Sequence, residues 1–134
     1  MGAWGTGSFD NDHALSWVAD APDGDLEYVR SALAPVEAPD GSPIEAPDAA
    51  RALAAAEVVA TLRGAPPDEL PGTVTTWIDT LPHEFDETLL AQARAATDRV
   101  VTKPSELLAR WGDAGSDEAT TWQAGVADLR QRLG

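Results

Sequence analysis

Pro47-Asp48-Ala49-Ala50-Arg51-Ala52-Leu53-Ala54-Ala55-Ala56-Glu57-Val58-Val59-Ala60-Thr61-Leu62-Arg63-Gly64 is the stretch that decides the fold. A proline at the front suits the first turn of a helix, where a backbone N–H has no partner to lose. Alanine, the best helix former, fills the middle. Gly64 stands where a left-handed residue ends a helix. No other part of the chain signals a helix so strongly. Across residues 52–60 the only charged side chain is Glu57.

The helical period recurs on both sides. Upstream, residues 11–20 bring Ala14, Leu15, Trp17 and Val18 onto one face, with Asp10 as N-cap and Asp12 in the first turn. Pro22-Asp23-Gly24 reads as a turn, and Asp25 opens a helix carrying Leu26, Tyr28, Val29, Ala32 and Leu33. Residues 34–47 hold Pro35, Pro39, Gly41, Pro43 and Pro47, a surface loop tacked to the body by Val36 and Ile44. Downstream, a loop over 65–72 leads to a short helix over 73–80 with Val74, Trp77 and Ile78 on one side. Glu84 or Asp86 opens the next helix, which runs to about Val101, and Pro104 starts another, lined by Leu107, Leu108 and Trp111. Ser116 caps the last, whose inner stripe is Trp122, Val126, Leu129 and Leu133, with Arg130 and Arg132 near its negative end. No β-branched or aromatic cluster alternates with period two. The pattern predicts an all-α protein, a compact orthogonal bundle of six to seven short helices forming a single domain over 1–134, with the Gly/Trp lead-in of residues 1–9 packed against it.

Composition narrows the function. Twenty-three acids against nine bases give a net charge of −14, which opposes binding to nucleic acid or to an anionic membrane surface. The absence of Cys removes disulfides, thiolate metal sites and a Cys nucleophile. No apolar run approaches the ~20 residues that span a bilayer. Residues 1–20 lack a basic start followed by an apolar stretch, so no signal peptide is expected and the cytoplasm is the expected location. Met1-Gly2 with Thr6 fits the pattern for N-myristoylation, but the bulky Trp4 beside the acceptor glycine argues against it. Alanine occurs 25 times and Lys once, a usage that points to a GC-rich bacterial gene. Ten acids and a single base, Arg30, fall within residues 1–48, which makes the N-terminal third the acidic face. A basic protein is the partner such a face would meet. The plainer role of the same charge is to keep the protein soluble.

Met1-Gly2-Ala3-Trp4-Gly5-Thr6-Gly7-Ser8-Phe9-Asp10-Asn11-Asp12 resembles the opening of a family of short bacterial proteins known only as a domain of unknown function. Its members begin Met-Gly-x-Trp-Gly-x-Gly-x-Phe-Asp-Asn-Asp and continue with an Ala and an aromatic residue, here Ala14 and Trp17. The likeness continues in Ala55-Ala56-Glu57-Val58-Val59-Ala60, in Leu70-Pro71 followed by Trp77, in Glu106-Leu107 followed by Trp111, and in Trp122 with Leu129-Arg130. It thus spans almost the whole chain. The opening is specific and the later pieces are individually weak. The resemblance implies a small helical protein and carries no assigned activity.

Several residues bear chemistry. Gly2, Gly5 and Gly7 let the lead-in lie flat on the bundle while Trp4 and Phe9 enter the core, and Asp10 with Asn11 caps the first helix. A phosphate there would meet the Asp10 and Asp12 carboxylates and no nearby cation. Asp10, Asp12 and His13 offer oxygen and imidazole ligands to a divalent cation, although residue 21, where an EF-hand-like loop needs Glu, is Ala. Glu57 admits two roles: a carboxylate with a raised pKa acting as general acid or base, or the structural partner of an arginine. Trp77, with Trp111 and Trp122, suits the core or the wall of an aromatic ligand pocket. No serine-hydrolase, zinc-protease or P-loop pattern occurs, and no cofactor is expected. The expected function is a non-enzymatic protein-interaction module, for which an immunity-type inhibitor of a basic toxin is one version. The alternative is a small metal-dependent hydrolase or ligand-binding protein using Asp10, Asp12, His13 and Glu57.

Overall fold

Seven α-helices form among the described residues: α1 (Asp12–Ala19), α2 (Leu26–Leu33), α3 (Ala46–Leu62), α4 (Gly72–Ile78), α5 (Glu87–Val100), α6 (Glu106–Ala114) and α7 (Ser116–Leu133). The structure, a computed structural model of the chain, describes residues 8–9, 11–37, 44–67, 70–81, 87–102 and 106–134. A 3-10 turn, Ala34–Glu37, extends α2, and no strand occurs among these residues. The fold is an all-α compact bundle.

The alanine-rich stretch is its central strut. Ala54, Ala55 and Ala56 are consecutive, so their side chains point about 100° apart around the axis. All three are fully buried, as are Val58 and Ala60. A helix apolar on every side has to be enclosed, and α3 packs against α1, α2, α5, α6 and α7. Small alanine side chains let those neighbours approach closely. The ends follow the expected chemistry. Pro47 lies in the first turn. Gly64 adopts φ +95°. The Ala65 N–H donates to the Ala60 carbonyl at 2.9 Å and the Gly64 N–H to that of Thr61 at 3.0 Å, closing a Schellman motif.

Asn11 is the N-cap of α1: its side-chain oxygen accepts from the Ala14 N–H at 2.8 Å. Of the two capping residues read from the sequence, Asp10 and Asn11, Asn11 is thus the N-cap, its oxygen standing three residues ahead of the free N–H it reaches. Asp10 itself, with Gly2, Trp4, Gly5 and Gly7, lies outside the described residues, so their packing role is untouched. Of the lead-in, Phe9 is buried in the core, and the Asn11 side-chain amide donates to the Ser8 carbonyl at 3.3 Å. Asp25 caps α2 as expected. Val36 and Ile44 are buried on either side of the undescribed 38–43. Residue 115, a glycine at φ +130°, precedes α7, so Ser116 is its first helical residue and not its cap. The expected openers of α5 and α6, Glu84, Asp86 and Pro104, lie outside the described residues.

Aromatic rings join neighbouring elements. Trp111 and Trp122 stack with centroids 6.2 Å apart between α6 and α7. Trp17 stacks on Tyr28 at 5.1 Å and meets Trp77 edge-on at 5.2 Å, fastening α1 to α2 and α4. The Trp77 indole N–H donates to the Pro22 carbonyl at 3.1 Å, and the Gly24 N–H donates to the Thr80 hydroxyl at 2.9 Å. The 22–24 turn is thereby held against the end of α4. No helix of the described residues is long and apolar enough to cross a membrane.

Candidate functional site

Glu57 is 5% exposed on the enclosed strut. A carboxylate in that position is costly unless it is paired and hydrogen-bonded. Arg132, near the end of α7, grips it with both terminal nitrogens: Nη1 to Oε2 at 2.8 Å and Nη2 to Oε1 at 3.0 Å. The Ser8 hydroxyl donates to Oε1 at 3.1 Å. Arg132 Nε meanwhile donates to Asp128 Oδ2 at 2.8 Å. One carboxylate thus ties together the lead-in, the central helix and the last helix. Burial works against the Arg132 charge, but hydrogen bonds and attraction from Glu57 and Asp128 outweigh it and hold the guanidinium above its ordinary pKa. No buried side-chain polar atom among the described residues is left without a partner. Glu57 therefore sits in a satisfied structural network, with both oxygens occupied.

The remaining site residues are spread out. Asp12 and His13 are exposed at the start of α1, and Asn11 spends its side chain on capping. Among the described residues no three His, Cys, Asp or Glu side chains gather to hold a metal ion; Asp10 lies outside them. Trp77 is 5% exposed and forms part of the wall of an open groove of about 780 Å³ between α1 and α4. Leu15, Val18 and Ala21 supply apolar surface from the α1 side, and Asp23 also lines the groove. The Trp111–Trp122 pair lies elsewhere and belongs to the core.

The surface from α1 to the start of α3 is acidic. Asp12, Asp20, Asp23, Asp25 and Glu45 are exposed, and no ion pair among the described residues engages any of them. Arg30 is bound to Glu27 at 3.1 Å and Arg51 to Asp48 at 3.1 Å. Tyr28 reports the same field. Burial chiefly, and then the negative charge of Asp20, lifts its phenol above the ordinary value, against a lowering by Arg51. Its hydroxyl donates to the Trp17 carbonyl.

Sequence reasoning missed two members of the Glu57 network. Ser8 carries no signal. Arg132 does: it follows Leu129 by three residues and precedes Leu133 by one, so it shares the buried stripe of α7. A charge on each of two inward faces is a pair waiting to be matched. The α1–α4 groove was also missed, because it depends on how two short helices sit and on no single residue.

A family model described as a domain of unknown function (DUF4259) matches residues 2–125, and the chain belongs to that family. Neither the curated proteins nor the solved structures contain a match.

Proposed function

We propose that this member of an uncharacterised family is a non-enzymatic interaction module of the bacterial cytoplasm that offers its acidic N-terminal face to a basic protein. The observation that carries this reading is how charge is used. The buried carboxylate, Glu57, is consumed by Arg132 and Ser8, while Asp12, Asp20, Asp23 and Asp25 stand exposed without a cation among the described residues. Such a face raises the encounter rate with a cationic partner and repels acidic competitors. An inhibitor of a basic toxin is the version that fits a small, strongly acidic protein best. The hydrolase reading has less support, since both Glu57 oxygens are engaged and Asp12 and His13 project from an exposed helix start.

The test uses a partner recovered from the producing cell by cross-linking and then purified. Its affinity for the protein is measured across ionic strength, alongside the variant D12N/D20N/D23N/D25N. Association should slow steeply as salt rises, and the neutralised variant should associate slowly at every salt concentration. Binding that ignores both salt and the four substitutions would sink the proposal.

A further inference from the structure

The groove between α1 and α4 has the properties of an anchor. Its walls are apolar through Leu15, Val18, Ala21 and Trp77. Thr73, Thr76 and Thr80 line the α4 side, and two of the three hydroxyls are spent on backbone carbonyls. The Thr76 hydroxyl donates to the Gly72 carbonyl at 2.9 Å and that of Thr80 to the Trp77 carbonyl at 2.6 Å, so these hydroxyls are turned onto their own helix. The volume, about 780 Å³, falls in the range of pockets that bury a ligand. From α1 the groove is lined by Leu15, Val18 and Ala19, about 6 Å or one helical turn, continued by Ala21, and the facing wall runs from Gly72 to Trp77 and on to Thr80. Asp23 lines the groove, and Asp20 and Asp79 are exposed next in sequence to the lining residues Ala19 and Thr80. No lining residue carries positive charge.

We infer that this groove receives one face of a short amphipathic helix of a partner protein, whose apolar residues at i, i+3, i+4 and i+7 fill it while flanking Arg or Lys meet Asp20, Asp23 and Asp79. The inference rests on the proposed acidic interaction face and adds where the partner is anchored and by what segment. Charge selects the partner: these carboxylates disfavour an acidic helix and leave an uncharged one without ion pairs. Apolar burial then holds what the field attracts.

The probe is a helical peptide of two to four turns with a leucine stripe flanked by Lys and Arg, titrated into the intact protein. Backbone amide shifts map where it binds, and Trp fluorescence follows affinity. Two variants separate the contributions. A19Q/T76Q puts long neutral side chains into the groove at exposed helical positions, without altering charge. D20N/D23N/D79N neutralises the three carboxylates. Equal melting curves for all three proteins establish that each is folded. Shifts centred on residues 15–23 and 72–80, with about a tenfold or greater loss of affinity in A19Q/T76Q that persists at high salt, support the inference. Loss in D20N/D23N/D79N alone, with A19Q/T76Q binding normally, overturns the groove and leaves the acidic-face proposal standing. Equal binding by an uncharged helix of the same apolar stripe overturns the basic partner. Absence of binding, or shifts that avoid both helices, overturns it too, and the purified-partner experiment then decides separately whether the acidic face works at all. A protein that dimerises alone, and is made monomeric by A19Q/T76Q, assigns the groove to a second copy and refutes the inference.

Discussion

Replacing Arg132 by Met keeps the aliphatic length of the side chain and removes the guanidinium. Glu57 would then remain 5% exposed with the Ser8 hydroxyl as its one side-chain partner. Breaking a buried pair from one side costs about 3–5 kcal/mol. The Arg132 side chain is 16% exposed, so water reaches the edge of the site and the lower end applies, about 3 kcal/mol. Loss of the Asp128 contact adds little, roughly 0.3–0.5 kcal/mol, because Asp128 is largely exposed. In a chain of this size the sum lowers the melting temperature by about 10–15 °C. Glu57→Leu combined with Arg132→Met removes both charges and should recover most of the loss, since apolar replacements of buried pairs are commonly neutral or stabilising. Urea unfolding of the four proteins, followed by far-UV circular dichroism, completes the double-mutant cycle. The reasoning fails if Arg132→Met lies within about 0.5 kcal/mol of the parent, or if the double substitution costs the sum of the two singles.

Tyr28 is the chain's single tyrosine, so alkaline titration of its tyrosinate absorbance reports one residue. Its midpoint should lie above the unfolded value, and the native state then holds the proton longer than the unfolded chain does. Stability from this group is complete below about pH 10 and is lost as pH rises through the folded midpoint; Tyr28→Phe should abolish that loss in melts run across the alkaline range. Gly64→Ala meets no atom within 4 Å but places a Cβ at φ +95°, so it should cost about 1–2 kcal/mol from backbone strain alone. Gly125→Ala, inside α7 with the same open space and no positive φ, should instead stabilise by about 0.5–1 kcal/mol, and one set of denaturation curves compares the two. Ala55→Leu forces new volume into a fully enclosed position of α3 and should cost about 1–3 kcal/mol or prevent folding, read by the same curves.

The helices were legible because each carries its own punctuation. Asp25 and Gly64 act locally, within a few residues of the backbone groups they satisfy, and local chemistry can be read from a string. The central position of α3 was only half visible. Its alanines announced a helix, whereas enclosure on all sides depends on five other helices converging on it. Position 11 illustrates the finest grain: Asp10 and Asn11 are both good caps, the sequence names the pair, and the geometry after Phe9 makes Asn11 the N-cap. The Glu57–Arg132 pair spans 75 residues, and the periodicity of one helix says nothing about which distant face it will meet. The groove is harder still, since Thr76 and Thr80 read as polar and lose that character only when their hydroxyls bond to the Gly72 and Trp77 carbonyls.

The charge pattern acquires meaning only when the arginines are placed. Arg63 donates to the Arg132 carbonyl at 2.8 Å, Arg94 to that of Leu133 at 3.0 Å and Arg130 to that of Gly134 at 2.8 Å, all at the negative end of α7. Arg132 itself turns inward to Glu57. Four of the nine cations are thus committed around one helix terminus, where three of them satisfy carbonyls that the helix leaves open. A chain with 23 acids has few cations to distribute, and each one held there is withheld from α1, the 22–24 turn and α2. The unpaired carboxylates of that region follow first from the acidic composition, since 23 acids outnumber nine bases by 14, and this commitment adds to it. Weakening the arginine cluster by charge-neutral substitutions should therefore destabilise α7 without restoring balance to the acidic face, because no freed side chain remains to neutralise it.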